Sequence, residues 1–146
     1  FYLSQGVKDV VVFDPATLAD QVREATGGSK ADVVYDPIGR ATLEASLDSL
    51  RPRGVLATFG NASGAVPPFD PLLLARKGSL FVTRPVLDHY TRTPEETAAL
   101  GAALFDAVLS GKVRIEIEQT YALADAAQAH RDLEARRTTG STILLP

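Results

Sequence analysis

The strongest constraint on the fold is a pair of short apolar runs that both stop at glycine. Residues 32–39 read DVVYDPIG and residues 54–64 read GVLATFGNASG, with a helical pattern over residues 41–50 between them. Buried strands read as continuous Val, Leu and Ala runs, and parallel neighbours need a crossover, usually a helix, to connect them. Ligands of such sheets collect outside the carboxyl ends of the strands, where these two runs turn to small and polar residues. The glycine-rich turn that normally opens a dinucleotide-binding domain is missing from the sequence, so the pattern reads as half of a nucleotide site.

The rest of the chain extends the alternation. Residues 9–13 (DVVVF) read as a strand, after which Asp14 and Pro15 open a helix, Asp as cap and Pro preformed for the first turn. Leu18, Val22 and Ala25 give that helix its apolar stripe, and Gly27 with Gly28 ends it. A strand over 33–35 follows, then a helix striped by Leu43, Leu47 and Leu50. Residues 51–54 read as a turn into a strand over 55–59. A Gly- and Pro-rich loop over 62–71 leads to a short helix over 72–76 and a strand over 80–83. Thr93, Pro94, Glu95 and Glu96 form a capping box, opening a helix expected to bury Leu100, Leu104 and Val108. Val113, Ile115 and Ile117 then alternate with Arg114, Glu116 and Glu118, the mark of a half-exposed strand. A helix over 125–136 and a strand over 142–145 close the chain. Strands alternating with helices predict a doubly wound α/β sheet. The last strand–helix–strand segment looks like a return to a second domain.

Composition narrows the function classes. With 146 residues, 45% hydrophobic and 23% charged, the chain can bury an ordinary globular core. A net charge of −3 leaves no basic footprint for nucleic acid. No run approaches the roughly 18 apolar residues of a membrane span. Without cysteine there is no disulfide and no thiolate site, which suits the cytoplasm. The chain has no methionine and begins at Phe1, as a piece of a longer protein would.

Several side chains invite a chemical role. Asp36, at a strand tip, can hold a ribose hydroxyl or act as a base; equally, it can cap the next helix or order the turn at Pro37. Gly60, Asn61, Ala62 and Ser63 follow a strand, where small residues let a ligand approach the backbone and Asn61 can meet an amide or a flat ring. A plain turn is the competing reading. His130 shares a helical face with Ala126, Ala129 and Leu133 and is expected to be a packing residue. His89 and Tyr90 can flank a cleft, but no second ligand stands at metal spacing. Ser63 lacks the Gly-x-Ser-x-Gly setting of a nucleophile. Glu95, Glu96, Glu116 and Glu118 read as a helix start and a solvated strand face, and Arg136 and Arg137 as surface charge or a phosphate contact.

Taken together, VVYDPIG at 33–39, FGNASG at 59–64, KGSLFVTRP at 77–85 and RRTTGSTILLP at 136–146 resemble the quinone oxidoreductases. These are the zeta-crystallin-like, zinc-free branch of the medium-chain dehydrogenase/reductase superfamily, and the similarity covers essentially the whole chain. The resemblance implies a partial Rossmann-type parallel sheet with its first βαβ unit missing. Residues 1–88 would be the C-terminal part of the NAD(P)-binding domain, and residues 89–146 a connecting helix and the return segment of the catalytic domain. It implies NADPH-dependent reduction of quinones or related activated carbonyl or alkene acceptors, with no metal. Phe59, Gly60, Asn61 and Ser63 would line the cofactor, with Val82, Thr83 and Arg84 near the nicotinamide, Phe13 near the adenine and Arg136 reaching in from the return segment. The strand over 80–83 would pair two copies into a homodimer. An enoyl reductase of the same superfamily, a non-catalytic NADPH-binding crystallin-like protein and, distantly, a methyltransferase-like fold are the alternatives. In the strand order 3-2-1-4-5-6, two strands would lie between the segment over 9–13 and the one over 33–35, with nothing in this sequence to fill that gap.

Overall fold

The computed structural model describes residues 6–146, which divide into two compact units meeting in sequence at Arg92 and Thr93. In the first unit the elements run α1 (Leu18–Ala25), β1 (Ala31–Asp36), α2 (Leu43–Asp48), β2 (Leu50–Thr58), α3 (Leu72–Arg76) and β3 (Phe81–Thr83). The strands form one parallel sheet in the order β1-β2-β3, with Asp36 opposite Thr58 and Ala57 opposite Thr83. The α/β expectation holds, and each crossover carries a helix.

The core lies on one face of this sheet. Leu43 and Leu47 of α2 meet Leu50, Leu56 and Leu80, with Val34, Val66, Phe69, Leu73, Leu74 and Val82 packed around them. Leu56 and Leu47 are 0% and 1% exposed, so neither site has slack to absorb lost volume. Leu56→Ala should therefore cost about 2–5 kcal/mol. Chemical denaturation measures this, and a loss well below that range would mean that the core is packed elsewhere.

Four expectations for this unit change. Residues 9–13 form no strand, and Val12 is 84% exposed. A strand exists through its ladder partner, and among the described residues β1 pairs with β2 alone. The helix expected over 41–50 is shorter, because Leu50 already pairs with Ala31 at the start of β2. The turn at 51–54 is absorbed into β2 as an irregularity, since the register passes from Ala31↔Leu50 straight to Val33↔Val55. Arg53 there takes a positive φ of 63° and donates its backbone N–H to Gly78. Strand β3 begins at Phe81, one residue later than expected, and is an edge strand.

The second unit contains α4 (Pro94–Leu109), β4 (Ile117–Ala122), α5 (Ala126–Glu134) and β5 (Ser141–Leu145), with β4 and β5 in parallel. The capping box is present: Thr93 Oγ1 accepts from the Glu96 N–H, and the Glu96 carboxylate accepts from the Thr93 N–H. No residue of α4 is buried, however, and Leu104, Phe105 and Leu109 are more than half exposed. Capping and propensity make a helix locally, whereas burial needs a facing surface. The alternating strand expected over 113–118 starts instead at Ile117, because β5 offers a ladder only from Ser141 onward. Tyr121 of β4 and Gln128 of α5 both donate to the Asp132 carboxylate, joining strand to helix.

Candidate functional site at the strand tips

Parallel pairing brings the ends of β1 and β2 side by side, and Asp36 is the hinge pin between them. Its side chain is buried, and its Oδ1 accepts from the N–H groups of Ile38 and Gly39 at 2.8 and 3.1 Å. Both carboxylate oxygens accept from Thr42 Oγ1, and Oδ2 also from Ser46 Oγ. Burial alone would raise its pKa, but the hydrogen bonds from Thr42, Gly39, Ile38 and Ser46 outweigh it and hold the carboxyl below its ordinary 3.8. With its lone pairs taken, Asp36 orders the turn and the start of α2 and is closed to a ribose or a proton-transfer role.

Beyond Asp36 the two tips are zipped together. Phe59 donates its N–H to the Asp36 carbonyl, and Ser63 donates its N–H to Ile38, each at 2.8–2.9 Å. Ser63 Oγ also donates to the Ile38 carbonyl and accepts from the Ala41 N–H, so this hydroxyl is a staple of the loop. Gly60 is where the chains come closest: a Cβ there would lie 1.8 Å from the Pro37 carbonyl oxygen. Its missing Cβ thus makes room for the neighbouring backbone.

From the third strand, Arg84 donates through Nη1 to the carbonyls of Thr58 and Gly60 at 3.1 and 3.0 Å. It thereby stands between two clefts. One, of about 520 Å³, is lined by Phe59, Arg84, Pro85, Val86, Leu87 and Tyr90. The other, of about 340 Å³, runs under the loop and includes Thr58, Asn61, Val66, Phe69, Val82 and Arg84.

Among the anticipated site residues, Phe59, Asn61, Val82 and Arg84 therefore converge on these clefts, and Gly60 and Ser63 build the wall beside them. Thr83 is exposed on β3 and lines neither cleft; Phe13, 47% exposed, borders neither. Arg136 belongs to the second unit, just past α5, with a positive φ of 57°. His130 is exposed rather than packed inside, against the expectation, because its helix turns Ala129 and not the imidazole inward. Tyr90 does flank a cleft, while His89 does not.

Thr58 was not anticipated. It is 5% exposed, and its hydroxyl has no hydrogen-bond partner among the described residues. The available signal was a polar residue following the apolar run Val55–Ala57. No group of three or more His, Cys, Asp or Glu among the described residues is placed to hold a metal ion.

A strand-tip crevice on a parallel sheet, walled by zipped glycine loops, defines an α/β protein of nucleotide-binding architecture. The zinc-binding dehydrogenase family profile matches residues 5–144, and the chain belongs to that family. It is 50% identical over 141 residues to a quinone oxidoreductase of Pseudomonas aeruginosa, covering 97% of this chain and 43% of that protein. It is 44% identical over 142 residues to a 2-haloacrylate reductase of a Burkholderia species, covering 97% of this chain and 43% of the relative. A mycobacterial protein solved in complex with NADPH superposes with a TM-score of 0.88 at 50% identity, over 97% of this chain and 44% of that one. The chain thus spans less than half the length of the relatives it matches.

Proposed function

We propose that this chain is the C-terminal part of an NADPH-dependent oxidoreductase that reduces quinones or related activated carbonyl or alkene acceptors. The observation that carries the reading is the convergence of Phe59, Asn61, Val82 and Arg84 on adjoining clefts at the strand tips. The names of the two curated relatives and the NADPH held by the mycobacterial structure support it from outside.

These residues suit the nicotinamide end of the cofactor. The half-exposed Phe59 ring offers a stacking face, Asn61 an exposed amide, and Thr58 a buried hydroxyl with no partner among the described residues. When bound, NADPH supplies the hydride, and the protein's part is to orient it and exclude water. Here the zipped loops hold Phe59 and Asn61 on rigid backbone, and Arg84 brings positive charge to the crevice. No helix among the described residues is long and apolar enough to cross a membrane.

In this reading residues 1–88 belong to the nucleotide-binding domain and residues 89–146 to the connecting helix and return segment of the catalytic domain. Phe13 would lie on the adenine side, and Thr83 and Arg136 would complete the cofactor contacts. The free edge of β3 would join a second copy in a homodimer, and the enzyme would work in the cytoplasm.

The test compares this 146-residue chain with the same chain joined behind the N-terminal portion of the Pseudomonas aeruginosa relative. Quinone-dependent NADPH oxidation is expected from the joined chain and not from the 146 residues alone. A full rate from the short chain would refute its incompleteness, and an inactive but folded joined chain would refute the activity.

A further inference from the structure

Three helices of this chain end on a glycine, and α5 does not. Past α1, α3 and α4 the chain reverses on Gly27, Gly78 and Gly111, whose φ values of 61°, 112° and 74° suit a residue without Cβ. Past α5 the same position is Arg136, at φ 57°. The reversal there is fully bonded: the Arg136 N–H donates to the Leu133 carbonyl at 3.0 Å, and the Arg137 N–H to the Asp132 carbonyl at 2.9 Å. A side chain at this φ crowds the following carbonyl, a strain that glycine would remove. The two adjacent arginines then part company. Arg137 Nη1 donates to Asp132 Oδ1 at 3.3 Å, and the same carboxylate accepts from Tyr121 Oη and Gln128 Nε2, each at 3.0 Å. Asp132 is thus steadied from both β4 and α5, with its side chain 17% exposed. Arg136 is exposed, and its guanidinium has no acceptor among the described residues.

We propose that this strained helix end presents Arg136 to a phosphate of the cofactor, with Asp132 and Arg137 as its positioning residues. The inference rests on the oxidoreductase reading and adds to the cofactor contact of Arg136 the residues that hold it in place. Backbone strain persists where the surrounding contacts over-determine it. Here the two backbone bonds at the end of α5 do so. The carboxylate of Asp132 occupies Arg137, so the guanidinium left over is that of Arg136, a planar fork that matches a phosphate bidentately. A fork carried on a fixed turn loses less freedom on binding than one on a loose segment. Glycine at this position would make the helix end more comfortable and would bring no donor to the cofactor.

Arg136→Gly separates comfort from function. In the 146-residue chain it should raise the urea midpoint of the second unit, followed through the amide signals of β4 and α5, because the strain leaves with the side chain. In the joined chain it should raise the Kd for NADPH, read from the cofactor's fluorescence, about tenfold. Asp132→Asn frees Arg137 and should raise that Kd several-fold. Asp132 also ties strand to helix, so its substitution can loosen the unit. Arg137→Ala, at a side chain 72% exposed, therefore gives a second measurement: the Asp132 carboxylate, without its partner, draws Arg136 to itself. The Kd for NADPH should again rise several-fold, with the quinone KM unchanged. NADH, which lacks the 2′-phosphate, tells the phosphates apart: an unchanged NADH Kd places Arg136 on the 2′-phosphate, and a parallel rise places it on the diphosphate. A urea midpoint that stays or falls in Arg136→Gly, or an unchanged NADPH Kd in Arg136→Gly or Arg137→Ala, would overturn the proposal. Quinone-dependent NADPH oxidation by a joined chain whose variants bind NADPH as before leaves the oxidoreductase reading standing while this one falls. A folded joined chain that binds no NADPH removes both.

Discussion

Gly60→Ala should be the most damaging single-methyl change in the first unit, lowering its stability by about 3 kcal/mol or more. The added Cβ would stand 1.8 Å from the Pro37 oxygen and 2.5 Å from the Pro37 carbonyl carbon, separations that atoms of a folded chain do not adopt. Neither neighbour is a flexible side-chain end, so the two strand tips must part. Parting them strains the Ser63 N–H bond to Ile38, the double use of Ser63 Oγ, and the close passage of Gly39 beneath the Gly64 carbonyl. Gly101→Ala is the matching control, because a Cβ there meets nothing within 4 Å and its backbone lies inside α4. It should stabilise by about 0.5–1 kcal/mol through helix propensity. Urea midpoints of the two variants should move in opposite directions. Equal, small shifts would mean that the tips are not in contact.

Asp36→Asn should cost a comparable amount, about 3 kcal/mol, and change how stability depends on pH. The carboxylate gathers donors from Ile38, Gly39, Thr42 and Ser46 in a buried setting, and an amide replaces one of its acceptor oxygens with a donor. The pKa direction sets the sign. The folded value is depressed below the ordinary 3.8, so the stabilisation is fully present above that value and is lost as pH falls through the folded pKa. Wild-type protein should therefore lose stability on acidification from about pH 5 downward, and the Asn variant should lose less over the same range. Parallel pH profiles for the two would show that Asp36 is not the buried anion described.

Local signals in the sequence proved reliable where the physics is local. The capping box at Thr93 and Glu96, the helical spacing of Leu43 and Leu47, and the short helix over 72–76 all depend on neighbours a few residues away. Readings failed where a distant partner decides. Residues 9–13 have the composition of a strand and no ladder among the described residues, and Val113 and Ile115 alternate correctly but lie outside the stretch that β5 pairs. Leu100 and Leu104 have core character, yet among the described residues nothing covers them, and they stay 46% and 56% exposed.

The candidate site divides in the same way. That the ends of β1 and β2 carry the interesting residues was legible in the runs themselves, since parallel strands place their carboxyl ends together. The roles of those residues were not. Asp36 and Gly60 look alike in a linear chain, as polar or small positions open to a ligand. Hydrogen-bond saturation makes the first a structural anion, and at the second a Cβ would stand 1.8 Å from the Pro37 oxygen, so packing of the two tips requires glycine there. Tyr90 stood only as a residue able to flank a cleft until Arg84 and Phe59 were placed beside it. By itself the sequence determined the order of elements, their caps and the edge at which chemistry belongs, because periodicity and turn chemistry act over a few residues. Only the tertiary structure decided which side chains are spent on the fold and which face a cleft, because that depends on contacts that reach beyond one turn, from Asp36 to Ser46 ten positions on, and from Ser63 to Ala41 and Arg84 to Thr58 across 22 and 26 positions.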